Sequence, residues 1–240
     1  MTSENGRGIM DKFLILGGNS GIGEAVFNLL EDEQGNVNQL FRPRSSMVNV
    51  ANRRHVRRYI TINGPFDYIV FSAGINKLQW IADAPEDGYA NFIFTMDVNL
   101  CGFYYVVAEH VNAWPQAKVS AVAVSSDAGE IPMRGSIAYC VSKAALDMAV
   151  KVMARELAPL WRVNAVAPGM VEGTDMTKYI DEMIPGFRGW TPEYAREYER
   201  ASVPSGRRAT LEEVAETIRW VLMGPEQMTG AIIRINGGKS

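Results

Sequence analysis

Tyr139 and Lys143 stand four residues apart in Ala138-Tyr139-Cys140-Val141-Ser142-Lys143, a spacing that puts both side chains on one face of a helix. A phenol beside an ammonium is a proton-transfer device. The positive charge favours phenolate, so the tyrosine pKa is expected to fall below its usual value of about 10. Its hydroxyl would then exchange a proton with a carbinol or a carbonyl near neutral pH. Such a pair is common by itself on solvated helices, and its weight comes from the rest of the chain.

Asp11 to Leu16 reads as a short buried strand that runs into Gly17-Gly18-Asn19-Ser20-Gly21-Ile22-Gly23 and then into an apolar-periodic helix from Ala25 to Leu30. Glycines let a backbone turn sharply and approach a pyrophosphate, while the free N–H groups and dipole of the next helix favour its negative charge. Strand, glycine turn and helix occur here in the order that a dinucleotide site needs.

Elements that position these groups can be followed along the chain. Strand-like runs recur at Val37 to Phe41, Tyr68 to Ser72, Val119 to Ser125, Val163 to Ala167 and Ala231 to Ile235, with helix-like segments between them. This is the rhythm of an α/β fold with a doubly wound parallel sheet. The uncharged run Val119 to Val124 suits a central strand covered on both faces, so Ser125-Ser126-Asp127-Ala128-Gly129 is expected to open onto the ligand crevice. Asp127 is read as a solvated turn residue. Between Phe41 and Asp67 there is room for a strand around Met47 to Val50 and a helix from Arg53 to Tyr59, so the sheet is expected to be trimmed between strands 2 and 4. Residues 172–205 carry prolines, glycines and the aromatics Tyr179, Phe187, Trp190, Tyr194 and Tyr198, as a mobile, partly helical substrate lid would.

At 240 residues with 47% hydrophobic content the chain can bury a full α/β core, and no linker or repeat divides it, so one domain is expected over 1–240, with 1–10 flexible. A net charge of -3 with interspersed signs leaves no footprint for nucleic acid or an anionic membrane. No apolar run approaches the ~20 residues that span a bilayer, and no signal core is visible, so a cytoplasmic location and a small-molecule partner are expected. Cys101, Cys140, His55 and His110 lack metal-ligand spacing, and no metal is expected.

Taken together, these residues resemble the compact, single-domain branch of the short-chain dehydrogenase/reductase family from about residue 11 onward. The family's Thr-Gly-x-x-x-Gly-x-Gly motif is similar to Leu16 to Gly23, with Gly17, Gly21 and Gly23 kept and leucine in place of threonine. Its Asn, Ser, Tyr, Lys tetrad falls on Asn99, Ser126, Tyr139 and Lys143, with the family's separation of thirteen between Ser126 and Tyr139. Asn164 to Gly169 resembles the segment before the family's nicotinamide-contacting threonine, placed at Thr174. Two departures stand out: Phe71-Ser72-Ala73-Gly74 replaces Asn-Asn-Ala-Gly, and Asn49-Val50 replaces Asp-Val. The lost asparagine amides must be replaced as hydrogen-bond partners.

The resemblance implies a Rossmann-like fold and reversible hydride transfer between a nicotinamide and a carbonyl or secondary alcohol, with Tyr139 as general acid or base. Ser126 would bind the substrate oxygen, Lys143 would lower the tyrosine pKa and hold the nicotinamide ribose, and Asn99 would hold a water linking Lys143 to solvent. The implied cofactor contacts are Gly17, Asn19, Ser20, Gly21, Ile22, Gly23, Asn49, Val50, Ser72, Ala73, Gly74, Tyr139, Lys143, Pro168, Gly169, Val171 and Thr174. Phe41-Arg42-Pro43-Arg44 puts a guanidinium where an acid would otherwise read the adenosine ribose, which favours NADP(H) over NAD(H).

A catalytically weak dinucleotide-binding regulator is the alternative, and the missing room for a substrate domain disfavours a sugar-nucleotide epimerase or dehydratase. Arg53, Arg54, Arg57 and Arg58 offer a basic patch for a carrier protein, or a solvated helix face. The resemblance implies a homotetramer or homodimer through helices at Asn99 to Val111 and Tyr139 to Leu157, with Phe103, Val107, Met148 and Val152 either as contacts or, as is commoner at helical spacing, as core.

Overall fold

The computed structural model describes residues 11–34, 39–82 and 86–239. The expected flexible leader at 1–10, and Val37 and Asn38 of the second expected strand, lie outside them. Lys12–Leu16 forms β1, and the glycine turn leads directly into α1 at Gly21–Gln34. Then come β2 (Gln39–Phe41), α2 (Arg53–Asn63), β3 (Tyr68–Phe71), α3 (Glu86–Met96) and α4 (Gly102–Ala113), with a π-helical turn, Asp97–Cys101, between the last two. The second half runs β4 (Val119–Val124), α5 (Ile137–Leu157), β5 (Trp161–Pro168), α6 (Asp175–Arg188), α7 (Pro192–Ala201), α8 (Leu211–Leu222) and β6 (Ile232–Ile235).

All six strands are parallel, in the order β2-β1-β3-β4-β5-β6. Alternation along each strand sends neighbouring side chains to opposite faces, and here both faces are apolar. Leu14, Leu16, Ile69, Phe71, Ala121 and Ala123 pack with α2, α4 and α5 through Val56, Ile60, Phe103, Val106, Leu146 and Val150. Phe13, Ile15, Val70, Val122 and Val124 face α1 and α8 through Val26, Leu30, Ile218 and Leu222. This is a doubly wound, Rossmann-like sheet. The strand order reverses between β1 and β3, and in such sheets the crevice at the carboxyl ends of those strands takes the ligand.

Several expectations are corrected. Met47 to Val50 is a turn, not a strand: the Met47 and Val48 amides both donate to Arg44 O, at 2.8 and 3.0 Å, and Met47 is 64% exposed, with no second face to bury. Asn52 instead caps α2, its side chain accepting from the Arg54 and His55 amides, and that helix continues past Tyr59 to Asn63. β2 is therefore the sheet edge, as the short connection suggested.

Arg53 and Arg57 are not a free basic face, because both bind the buried carboxylate of Glu109 on α4, at 2.5 and 2.8 Å. Phe103 and Val107 point into the core, whereas Met148 and Val152 are exposed. The segment expected to be partly helical carries α6 and α7, each started by a threonine cap, Thr174 and Thr191. Among the described residues no helix is long and apolar enough to cross a membrane, and no cluster of His, Cys, Asp or Glu could hold a metal ion.

Candidate active site

The glycine turn is as tight as its sequence suggests. Gly17 has φ +82°, and a Cβ there would stand 2.6 Å from the Ala73 amide nitrogen. A Cβ on Gly23 would come within 2.3 Å of Gly17 O, so α1 packs onto the turn only because position 23 is bare. Asn19 ties the turn to the end of β2, its amide donating to the Pro43 carbonyl at 3.1 Å and the Arg42 carbonyl at 3.4 Å. The Ser72 amide donates to Leu16 O at 2.8 Å, which joins the ends of β1 and β3 by backbone where side-chain amides were expected to be missed.

From this turn a cavity of about 680 Å³ runs across the carboxyl ends of the strands. Gly17, Ser20, Gly21, Ile22, Ser72, Ala73 and Gly74 line one part, and Pro168, Gly169, Val171 and Thr174 line the β5 side. Ser126, Tyr139 and Lys143 form its inner wall. Thr174 caps α6 by accepting from the Thr177 amide at 3.0 Å, and its methyl carbon lies 3.6 Å from where a Cβ on Gly21 would stand.

Six expected residues stand outside the lining: Asn19, Gly23, Arg42, Asn49, Val50 and Asn99. Asn19 and Gly23 shape the turn from behind. Asn49 closes a local turn by accepting from the Ala51 amide at 3.0 Å, and Val50 packs against Gly102. Arg42 lies over the Phe27 ring, its guanidinium carbon 3.8 Å from the centroid, with Glu24 at 3.9 Å.

Ser126 sits in extended conformation just past β4 and caps the short turn Asp127–Gly129, its hydroxyl accepting from the Ala128 amide at 3.2 Å. It donates to Asp127 Oδ1 at 3.3 Å and stands near enough to the Tyr139 hydroxyl to favour its phenolate. Tyr139 and Lys143 follow on α5, both buried. Lys143 Nζ donates to Val124 O at 2.8 Å and lies 5.6 Å from the centroid of the Tyr139 ring.

The expected acidification of Tyr139 is not found. Burial pushes its phenol up to about 12 and the nearby Asp127 adds to this, against which the Ser126 hydroxyl works in the other direction. Burial likewise lowers Lys143 to about 8, partly offset by Asp147. Desolvation disfavours the charged form of each group and outweighs their proximity.

Asn99 lies in the π-helical turn, fully buried. Its Oδ1 accepts from the Ile75 amide at 2.8 Å, and its Nδ2 donates to Ile75 O and to Ser142 Oγ, both at 2.9 Å. The side-chain amide expected to hold a relay water is thus committed to clamping the backbone after Gly74. Asp127, read as a solvated turn, is 4% exposed and pairs with Lys239 at 3.3 Å, and both line the cavity. Lys239 reaches it because the tail is held near the segment after α7 by a hydrogen bond from the Ser205 amide to Gly237 O, at 3.0 Å. No local pattern links these positions, which are brought together by the fold alone.

The sequence profile of a family described as enoyl-(acyl carrier protein) reductase matches residues 46–240. A 3-oxoacyl-[acyl-carrier-protein] reductase of Thermotoga maritima is 31% identical, over 94% of this chain and 96% of its own. A cis-1,2-dihydrobenzene-1,2-diol dehydrogenase of Pseudomonas putida is 26% identical over 94% and 90% respectively. A crystal structure of a short-chain dehydrogenase family protein from Francisella tularensis superimposes with a TM-score of 0.82 at 26% identity, covering 96% of this chain and 99% of that one.

Proposed function

Because this chain belongs to the short-chain dehydrogenase/reductase family, whose members oxidise alcohols or reduce carbonyls with a nicotinamide cofactor, we propose that it is an NADP(H)-dependent carbonyl reductase or secondary-alcohol dehydrogenase using Tyr139 as its proton carrier. The observation that carries this reading is the common cavity, which places Ser126, Tyr139 and Lys143 on one wall and the glycine turn at its end.

The residues present fit a dinucleotide. Gly17, Gly21 and Gly23 leave a bare backbone at the α1 N-terminus, where first-turn amides lack intrahelical acceptors. Gly74 lies beside Lys143 Nζ and Asn99 Oδ1, which stand in ordinary contact range of its Cβ position at 3.5 and 3.6 Å. When bound, the nicotinamide supplies or accepts the hydride.

The chain's own groups supply the rest. Ser126 holds the substrate oxygen within reach of the Tyr139 hydroxyl and stabilises charge developing on it. Tyr139, protonated at neutral pH, gives its proton to that oxygen in reduction and takes it back in oxidation. Lys143 binds ribose hydroxyls and places a positive charge beside the tyrosine as phenolate forms, while Asn99 fixes the Gly74-Ile75 backbone that Lys143 faces. Arg42, with no carboxylate at the end of β2 itself, suits a 2′-phosphate. The exposed Val141, Met148 and Val152 on α5 and Tyr104 on α4 support self-association as a dimer or tetramer.

Fluorescence titration with NADPH and NADH, followed by a carbonyl panel with Tyr139→Phe as control, tests this reading. Tight NADPH binding and turnover lost in the variant are expected. Binding without turnover of any carbonyl would make the protein a dinucleotide-binding regulator, and absence of binding would remove the reading altogether.

A further inference from the structure

Charged side chains line the α6 and α7 side of the cavity, and their pairing is uneven. Asp181 and Glu199 both bind Arg208, Asp175 meets Lys178, and Asp127 meets Lys239. Every carboxylate lining the cavity therefore has a basic partner. Among its arginines, Arg196 is paired with Glu193, but Arg134 and Arg188 have no ion pair among the described residues.

Both guanidiniums are seated. Arg188 donates from Nη2 to Arg134 O at 3.3 Å and lies over the Trp190 ring, 4.9 Å from its centroid, while its Nε is buried without a hydrogen-bond partner. Arg134 lies over Trp80 at 5.3 Å, and Trp80 stacks on Phe187 with centroids 4.6 Å apart. Phe187 in turn covers Gly135, where a Cβ would stand 2.3 Å from its ring. The end of α6 is thus locked onto the segment that leads into Tyr139.

We propose that the substrate is a carbonyl compound or alcohol carrying an oxyanion, a carboxylate or a phosphate, which Arg188 binds with help from Arg134 while the reacting carbon lies at Tyr139. The proposal rests on the oxidoreductase reading of the same cavity. A partly buried guanidinium without a counter-charge is unfavourable by itself, and its planar fork matches a carboxylate or phosphate in two parallel hydrogen bonds. Ile131, Met133 and Ile184 line the same cavity and suit an apolar spacer between carbonyl and anion.

The test is calorimetric titration, with and without NADPH, of straight-chain methyl-ketone acids of increasing length, their methyl esters, and phosphate monoesters of the matching hydroxy ketones. At one spacer length an anion is expected to bind at least about tenfold more tightly than the neutral ester. Arg188→Gln should abolish that preference, Arg188→Lys keep part of it, and Arg134→Gln reduce it less, with thermal melts showing that each variant folds. The acid and phosphate series identify which oxyanion is preferred. Equal binding of anions and esters at every length, or a preference that survives in the double Arg134→Gln, Arg188→Gln variant, overturns the proposal. NADPH consumption with the same compounds separates the two readings. Anion-selective binding without reduction leaves the subsite standing and removes the oxidoreductase, whereas equal reduction of acid and ester does the reverse.

Discussion

Lys143 directs its ammonium at the Val124 carbonyl and the ring of Tyr139, 5.6 Å from its centroid, inside a wall where burial moves the pKa values of the two groups apart. The lysine falls from 10.5 to about 8 and the tyrosine rises from 10.0 to about 12. Between about pH 8 and 10 the unfolded chain keeps a proton that folded Lys143 has released, so stability rises with pH. Above about pH 10 the unfolded chain loses a tyrosine proton that the folded chain keeps, so stability falls. Urea unfolding across this range should show both limbs, with a slope of up to about 1.4 kcal/mol per pH unit for each group. Lys143→Met is expected to lose the rise, and Tyr139→Phe part of the fall, the remainder coming from Tyr59, Tyr68 and Tyr105, whose phenols burial also pushes up. An unchanged rise in Lys143→Met would show that the lysine is not desolvated.

Asn99 offers a test of bracing against proton relay. Its side chain satisfies both backbone polar groups of Ile75, so Asn99→Ala leaves a part-buried amide and carbonyl unpaired and should destabilise the protein by about 1–3 kcal/mol. Cofactor affinity should fall with it, because Gly74 lies between this clamp and Lys143. Full stability and cofactor affinity combined with lost turnover would instead favour the relay.

What the sequence makes legible is what is constrained locally. The β1-turn-α1 unit is readable because Gly17 and Gly23 must both be bare for the chain to close on itself, and Tyr139 and Lys143 because helix geometry fixes their common face. Three readings fall short where distant parts of the chain decide. Met47 to Val50 has strand-like residues but no neighbour to pair with at the sheet edge. The basic patch offered by Arg53 and Arg57 stays on a solvated helix face but is not free, because α4 brings Glu109 beneath them. Phe103 and Val107 lie on a helix apolar enough that its sequence does not show which face is buried. The Tyr139 pKa fails for another reason: a pair of residues shows the favourable charge, while the desolvation that outweighs it comes from everything packed around them.

The pair formed by Asp127 and Lys239 should tune Tyr139 in opposite directions. Asp127 raises the tyrosine pKa, so Asp127→Asn is expected to move the basic limb of the oxidation profile, as kcat/KM against pH, down by about half a unit to one unit. Lys239→Ala leaves the Asp127 carboxylate buried without its cation. It should move that limb up and lower stability by about 1–3 kcal/mol. Shifts of the same sign in both variants would show that the pair acts through packing and not through charge.

Cofactor choice should rest on Arg42. Its guanidinium is held by the Phe27 ring and Glu24 at the mouth of the glycine turn, so little side-chain freedom is left to lose when a phosphate binds. Arg42→Ala is expected to weaken NADPH by about 10–100-fold, as removal of a charge-assisted contact does, and to leave NADH within about threefold. Glu24→Gln should act the other way, tightening NADPH modestly by freeing the guanidinium from a competing carboxylate, with little effect on NADH. Competition binding of the two cofactors to wild type and both variants decides the matter. Equal losses for NADPH and NADH in Arg42→Ala would mean that the arginine supports the turn and does not read the 2′-phosphate.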